Sequence, residues 1–236
     1  MSVRFAQGGD RCGWPQAVLF DLDGTLVDSV PDLTAAVNAL LATEDKPALG
    51  IADVRTMIGN GIKKLVERAF AARGEVLEGD ALAAMTDRMM GIYAQNLTGG
   101  TTLMPGAEMI VTAYARAGVK IAVVTNKPEG FSRSIIEHFG LASSVHAVVG
   151  GDTGPTRKPA PDMLLHALDQ LGVGKHRALM IGDSPADIDA AKAVPMPSIA
   201  VRGGYTTVPV EELGADVVID SLNEVPQAIE RLKEPA

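Results

Sequence analysis

The chain has 236 residues, 47% of them hydrophobic, enough for one full core plus an accessory unit but too few for a linear array of several domains. Its 21 Lys and Arg face 29 Asp and Glu, a net charge of −8, which leaves no broad cationic surface for nucleic-acid phosphates or anionic lipid. Nucleic acid is therefore not an expected partner, and the single cysteine, Cys12, has no second thiol to pair with, which fits a reducing compartment.

Residues 1–15 mix Arg4, Asp10 and Arg11 with Gly8, Gly9 and Gly13, which breaks up the apolar stretch of a secretory signal, and a flexible tail is expected there. The longest apolar runs, such as Ile121–Val124, fall far short of the roughly 20 residues of a membrane span. The expectation is a soluble, cytoplasmic protein with no membrane partner. A first buried strand is expected over Ala17–Leu22. From about Val30 to about Thr98 no strand pattern follows. Instead Val30–Leu41, Ile62–Ala72 and Leu82–Leu97 carry apolar residues at steps of three and four, the period of amphipathic helices. Asp28, Ser29 and Pro31 suit the exit into this helical insertion, and Gly99, Gly100, Pro105 and Gly106 suit the return.

Beyond the insertion the pattern alternates. Helices are expected over Ala107–Ala117, Gly130–Phe139, Pro161–Leu171 and Asp187–Ala193, and strands over Val119–Thr125, Val145–Gly150, Ala178–Gly182, Ser198–Val201 and Asp216–Ile219. Such alternation favours right-handed βαβ units and hence an α/β fold with a doubly wound parallel sheet. The expected division is a tail over 1–15, a core over 16–28 and 100–236, and a helical unit over 29–99.

In open α/β sheets ligands sit beyond the carboxyl ends of the strands, and four such places carry polar groups. After the first strand come Asp21 and Asp23, one residue apart before Gly24. A carboxylate can attack phosphorus and a second one can protonate the leaving oxygen, while Gly24 permits a turn that brings backbone amides close. Taken alone, Asp-x-Asp-Gly is equally a strand running into a turn. The strand ending at Val124 leads into Thr125, Asn126 and Lys127, where a hydroxyl and an amide can donate to phosphoryl oxygens or Thr125 can simply cap a helix. Lys158 stands beside Pro159 and before Pro161, which limit backbone freedom, so it is either a fixed point charge or a solvated lysine ahead of a helix. Asp183 ends another buried strand and can be a magnesium ligand together with Asp21 and a backbone carbonyl, or the start of a capped helix. Asp187, one helical turn later, can restrain Lys158 or a metal-bound water. His138, His146, His166 and His176 lack metal-ligand spacing.

In order and strand placement these residues resemble the four motifs of the haloacid dehalogenase-like phosphohydrolase superfamily, and the resemblance covers nearly the whole chain after about Gln16. It implies a Rossmann-like core with a small mobile cap made by the insertion. It also implies Asp21 as nucleophile, Asp23 as general acid and base, Thr125, Asn126 and Lys158 on the phosphate, and Mg2+ held by Asp21, Asp183 and the backbone carbonyl of Asp23. Within the superfamily the chain is most similar to bacterial phosphoglycolate phosphatases, through Asp23–Ser29, Ile58–Gly61 and Thr125–Pro128. One departure is Pro195 and Pro197 where relatives usually carry glycine before the next strand. The implied activity is hydrolysis of a small phosphorylated metabolite, 2-phosphoglycolate, by a monomer or homodimer. For the substrate carboxylate, Gly61 and Lys63 at the opening of a helix are the candidates, since free amides and a lysine can hold an anion. A sugar-phosphate phosphatase or a hexose-phosphate mutase would share all four motifs. A dehalogenase would have little use for Asp23 or magnesium, and a non-enzymatic scaffold would be expected to lose at least one catalytic group, whereas all are present.

Overall fold

A computed structural model describes residues 13–233. Each strand of its main sheet is a short apolar run covered on both faces, and the side chains split by the two-residue period of a strand. In β1 (Ala17–Phe20), Val18 and Phe20 face one apolar cluster and Ala17 and Leu19 the other. The same alternation sorts Ile121 and Val123 from Ala122 and Val124 in β4 (Lys120–Val124), and Leu179 and Ile181 from Ala178 and Met180 in β6 (Ala178–Gly182).

With β5 (Ala147–Val149), β7 (Ser198–Val201) and β8 (Val217–Ile219), these form a six-stranded parallel sheet in the order β5-β4-β1-β6-β7-β8. Helices α5 (Ala107–Arg116), α6 (Glu129–His138) and α9 (Val225–Lys233) cover one face; α7 (Asp162–Leu171) and α8 (Pro185–Ala193) cover the other. The chain runs outward through β4 and β5 on one side of β1 and then returns to β6 on its other side. The carboxyl ends of β1, β4 and β6 therefore flank the point where strand order reverses, where α/β sheets place ligands. This is the doubly wound α/β fold expected from the alternation.

The insertion holds α1 (Val30–Ala42), α2 (Ile51–Arg55), α3 (Ile62–Ala71) and α4 (Gly79–Ala94), packed around an apolar cluster of their own that includes Leu40, Val66, Phe70, Met89 and Tyr93. Two short strands, β2 (Val27–Asp28) and β3 (Thr102–Leu103), pair antiparallel and form its stem. The stem, α2 and α9 were not anticipated. α4 also lies about three residues earlier than expected, because Glu78 opens it in an extended conformation at the N-cap.

The expected tail over 1–15 falls mostly outside the described residues, as does Cys12. Trp14 already packs on the core, and Pro15 is buried. Among the described residues no helix is long and apolar enough to cross a membrane.

Candidate active site

The chain leaves β1 at Phe20 with its next residues at the reversal point, and the carboxylates of Asp21 and Asp23 line one cleft together with Thr125, Asn126 and Lys127 from the end of β4. The opposite wall comes from the helical unit: Leu33, Ile58, Gly59, Gly61, Ile62 and Leu65.

Lys158 anchors Asp21. Its ammonium donates to Asp21 Oδ1 at 2.9 Å, Asp187 Oδ1 at 2.6 Å and the carbonyl of Val124 at 2.5 Å, so all three of its protons are used. Burial opposes its charge, but Asp187 and Asp21 outweigh burial and hold its pKa above the ordinary lysine value. Asp187 in turn accepts from Ser184 N at 3.1 Å and Ser184 Oγ at 2.7 Å, closing the first turn of α8 and locking its own carboxylate.

Asp183 extends from the end of β6. It accepts from Thr25 Oγ1 at 2.9 Å and from the Tyr205 amide at 2.7 Å. Gly24 makes room for it: its φ of +92° and the 2.6 Å that would separate an added Cβ from Asp183 Oδ2 both require glycine.

Asp21, Asp183 and Asp187 each place a carboxylate oxygen within 4.8 Å of the others, and all three are buried. Burial raises the pKa of Asp21 to about 6; Lys158 works against that rise and Asp187 adds to it. Burial, then Asp187 and Asp21, push Asp183 well above the usual carboxylate range. With all three carboxylates ionised, the one ammonium leaves an excess of two negative charges. Two charges of hard-oxygen demand suit one divalent cation, and magnesium accepts such ligands.

Asp23 is held separately. Its Oδ1 accepts from Ser29 Oγ at 2.6 Å, and the Lys127 ammonium spans Oδ1 and Oδ2 at 2.9 and 3.0 Å. Lys127 also donates to the hydroxyl of Tyr93, from α4, at 2.8 Å and lies 4.7 Å from the centre of that ring. Both Lys127 and Tyr93 are buried.

The structure thus brings Asp21, Asp23, Thr125, Asn126, Lys158 and Asp183 to one end of the sheet, and Gly61 into the cleft wall. Asn126 sits differently from the expectation of a free donor: both protons of its amide go to carbonyls, of Gly59 and of Lys158, each at 3.0 Å. Its Oδ1 is buried with no partner among the described residues. Lys63 is exposed on α3 and is not among the residues lining the cleft. Sequence reasoning assigned no catalytic or binding role to Lys127, Tyr93, Ser29 or Tyr205. Lys127 was detectable as the continuation of the Thr125–Asn126 run, whereas Tyr93 reads only as a core position of a helix.

Comparison with known proteins gives the family. The family model for haloacid dehalogenase-like hydrolases matches residues 15–194. The phosphoglycolate phosphatase of Rhodospirillum rubrum is 45% identical over 210 residues, covering 87% of each chain. That of Caulobacter vibrioides is 39% identical over 211 residues, covering 89% of each. Among solved structures, one titled a predicted phosphoglycolate phosphatase, from Haemophilus somnus, matches with a TM-score of 0.85 and 29% identity over 91% of this chain and 97% of that one. A match that runs from the start of the core through β6 and α8 takes in every acidic and basic residue of the site, and the chain belongs to the haloacid dehalogenase-like hydrolases.

Proposed function

We propose that this protein hydrolyses 2-phosphoglycolate to glycolate and phosphate, with magnesium, through a phosphoryl group carried on Asp21. The coarser statement, a hydrolase of phosphoric monoesters, rests on its family and on relatives named for that activity. The observation that supports the metal and the covalent step is the buried group of three carboxylates and one lysine around Asp21, at the strand ends where a phosphate can be received, while the choice of substrate follows the relatives named for it.

In this mechanism a carboxylate oxygen of Asp21 attacks phosphorus as the ester P–O bond breaks, and Asp23 supplies the proton to the departing oxygen. Lys158 holds Asp21 aimed and offsets phosphoryl charge, and Thr125 Oγ1 donates to a phosphoryl oxygen. Asp23 then takes a proton from water, which attacks phosphorus and releases Asp21. Asp21, Asp183 and the backbone carbonyl of Asp23 would hold the magnesium, which supplies neutralisation of the phosphoryl charge. The helical unit acts as a cap that excludes bulk water, and Asn126 ties its Gly59 to the core. The reading also takes the protein as cytoplasmic and as a monomer or homodimer.

The test is kcat/KM across a panel of phosphorylated metabolites with and without magnesium. The expected leader is 2-phosphoglycolate. A sugar phosphate hydrolysed much faster would overturn the substrate and leave the phosphatase standing.

A further inference from the structure

We infer that Lys127 determines specificity by recognising the carboxylate of the substrate, an assignment that rests on the phosphatase reading above. Asp21 and Lys158 account for the phosphate. A two-carbon substrate has its second anion only two bonds beyond the ester oxygen, so the recognising cation must lie inside the cleft. Among the residues lining that cleft, Lys127 is the only cation.

Other basic groups nearby are placed or occupied differently. Lys158 has spent its three protons on Asp21, Asp187 and Val124 O. Lys64 pairs with Glu67, while Arg68 donates to the carbonyl of Met57 and to Asn60 Oδ1. Arg157 is exposed, donates through Nε to the carbonyl of Gly151 and lies beside Gly61 at the rim, outside the residues that line the cleft. Lys63 is exposed away from the cleft lining.

Lys127 also uses its three protons, on Asp23 Oδ1, Asp23 Oδ2 and Tyr93, but two of the three go to one carboxylate, which catalysis itself must free. Its side chain is buried, and it lines the cleft together with Leu33, Ile58, Ile62 and Leu65, where a charge pair is screened less than in water. Its contacts explain why a second anion matters. Asp23 Oδ1 is taken by both Ser29 and Lys127, and Oδ2 accepts from Lys127 alone, so the proton that Asp23 gives the leaving group must sit on the oxygen that Lys127 faces. For Asp23 to act, Lys127 must release Oδ2, and a buried ammonium needs a replacement acceptor when it does. A carboxylate two bonds from the ester oxygen provides that acceptor, so substrate recognition and release of Asp23 become one event. Tyr93 keeps Lys127 on the cap side during the exchange, through the 2.8 Å hydrogen bond.

The test compares 2-phosphoglycolate with ethyl phosphate, which has a methyl group in place of the carboxylate, in wild type, Lys127→Met, Lys127→Gln and Lys63→Ala. Wild type should prefer 2-phosphoglycolate at least about tenfold in kcat/KM. Either Lys127 variant should cut the ratio of the two kcat/KM values by about 10- to 100-fold, the range for a lost charge-assisted hydrogen bond. Equal losses on both esters would overturn the inference and restrict Lys127 to serving Asp23, and a shift produced by Lys63→Ala instead would move recognition to α3. Should circular dichroism show both Lys127 variants unfolded, the wild-type preference decides alone, and its absence overturns the inference. Wild type that hydrolyses neither ester, nor p-nitrophenyl phosphate, would instead sink the phosphatase reading itself.

Discussion

Replacing Asp187 with alanine tests whether the buried charge cluster is held together as described. The change removes the 2.6 Å ion pair to Lys158 and the two bonds that close the Ser184 turn. Breaking a buried pair by deleting one partner costs about 3–5 kcal/mol. Asp21 remains 2.9 Å from Lys158, which argues for the lower end, about 3 kcal/mol. Loss of the cap adds about 1 kcal/mol. Against this, the deletion relieves repulsion on Asp21 and Asp183, both of which Asp187 pushes towards protonation. The net loss in metal-free protein is therefore about 3 kcal/mol, which for a chain of this size lowers Tm by about 6–12 °C. Magnesium already offsets the repulsion, so the loss should be larger in its presence. Asp187→Asn, which can still accept from Ser184, should lie between alanine and wild type. Melting curves at pH 7 with and without magnesium measure all of this. An Asp187→Ala protein melting within about 2 °C of wild type would refute the reasoning.

Other expectations follow from the same geometry. Asp183→Ala should sharply raise the magnesium concentration needed for activity, and calcium should inhibit by giving Asp21 a looser, two-oxygen coordination; unchanged metal titrations would move the ligand role elsewhere. Because burial lifts Asp21 to about 6, above its unfolded value, its stabilising contribution is complete below about pH 4 and is lost as pH rises through about 6. Metal-free wild type should accordingly lose about 3 kcal/mol relative to Asp21→Asn between pH 4 and pH 7, and a pH-independent difference would contradict it. Gly24→Ala places a Cβ 2.6 Å from Asp183 Oδ2 at a φ of +92°, so it should cost about 1–2 kcal/mol and weaken magnesium binding; wild-type metal affinity would argue against the close approach.

Much of the site was legible because its chemistry is local. Asp21, Thr125 and Asp183 each follow an apolar run directly, and period-two burial of those runs places them at strand ends. Asp187 was readable as a partner of Lys158 from its position one turn into a helix. What escaped depends on contacts distant in sequence. Lys127 meets Tyr93 across 34 positions, and Tyr205 meets Asp28 across 177. Periodicity identifies Tyr93 as facing an interior but not that its hydroxyl touches a charge. The strands of the stem have two residues each, too short for any alternation to register. α9 was within reach: Val225, Ala228, Ile229 and Leu232 follow helical spacing and are all buried on the sheet.

Covalent transfer to Asp21 is best tested by acid-quenching the enzyme during turnover of 2-phosphoglycolate with magnesium and mapping the phosphorylated peptide by mass spectrometry. The expected result is one phosphoryl group on Asp21, labile to hydroxylamine and absent from Asp21→Asn, which should also retain its fold and lose turnover. A phosphoryl group on another residue, or near-normal turnover by Asp21→Asn, would contradict it.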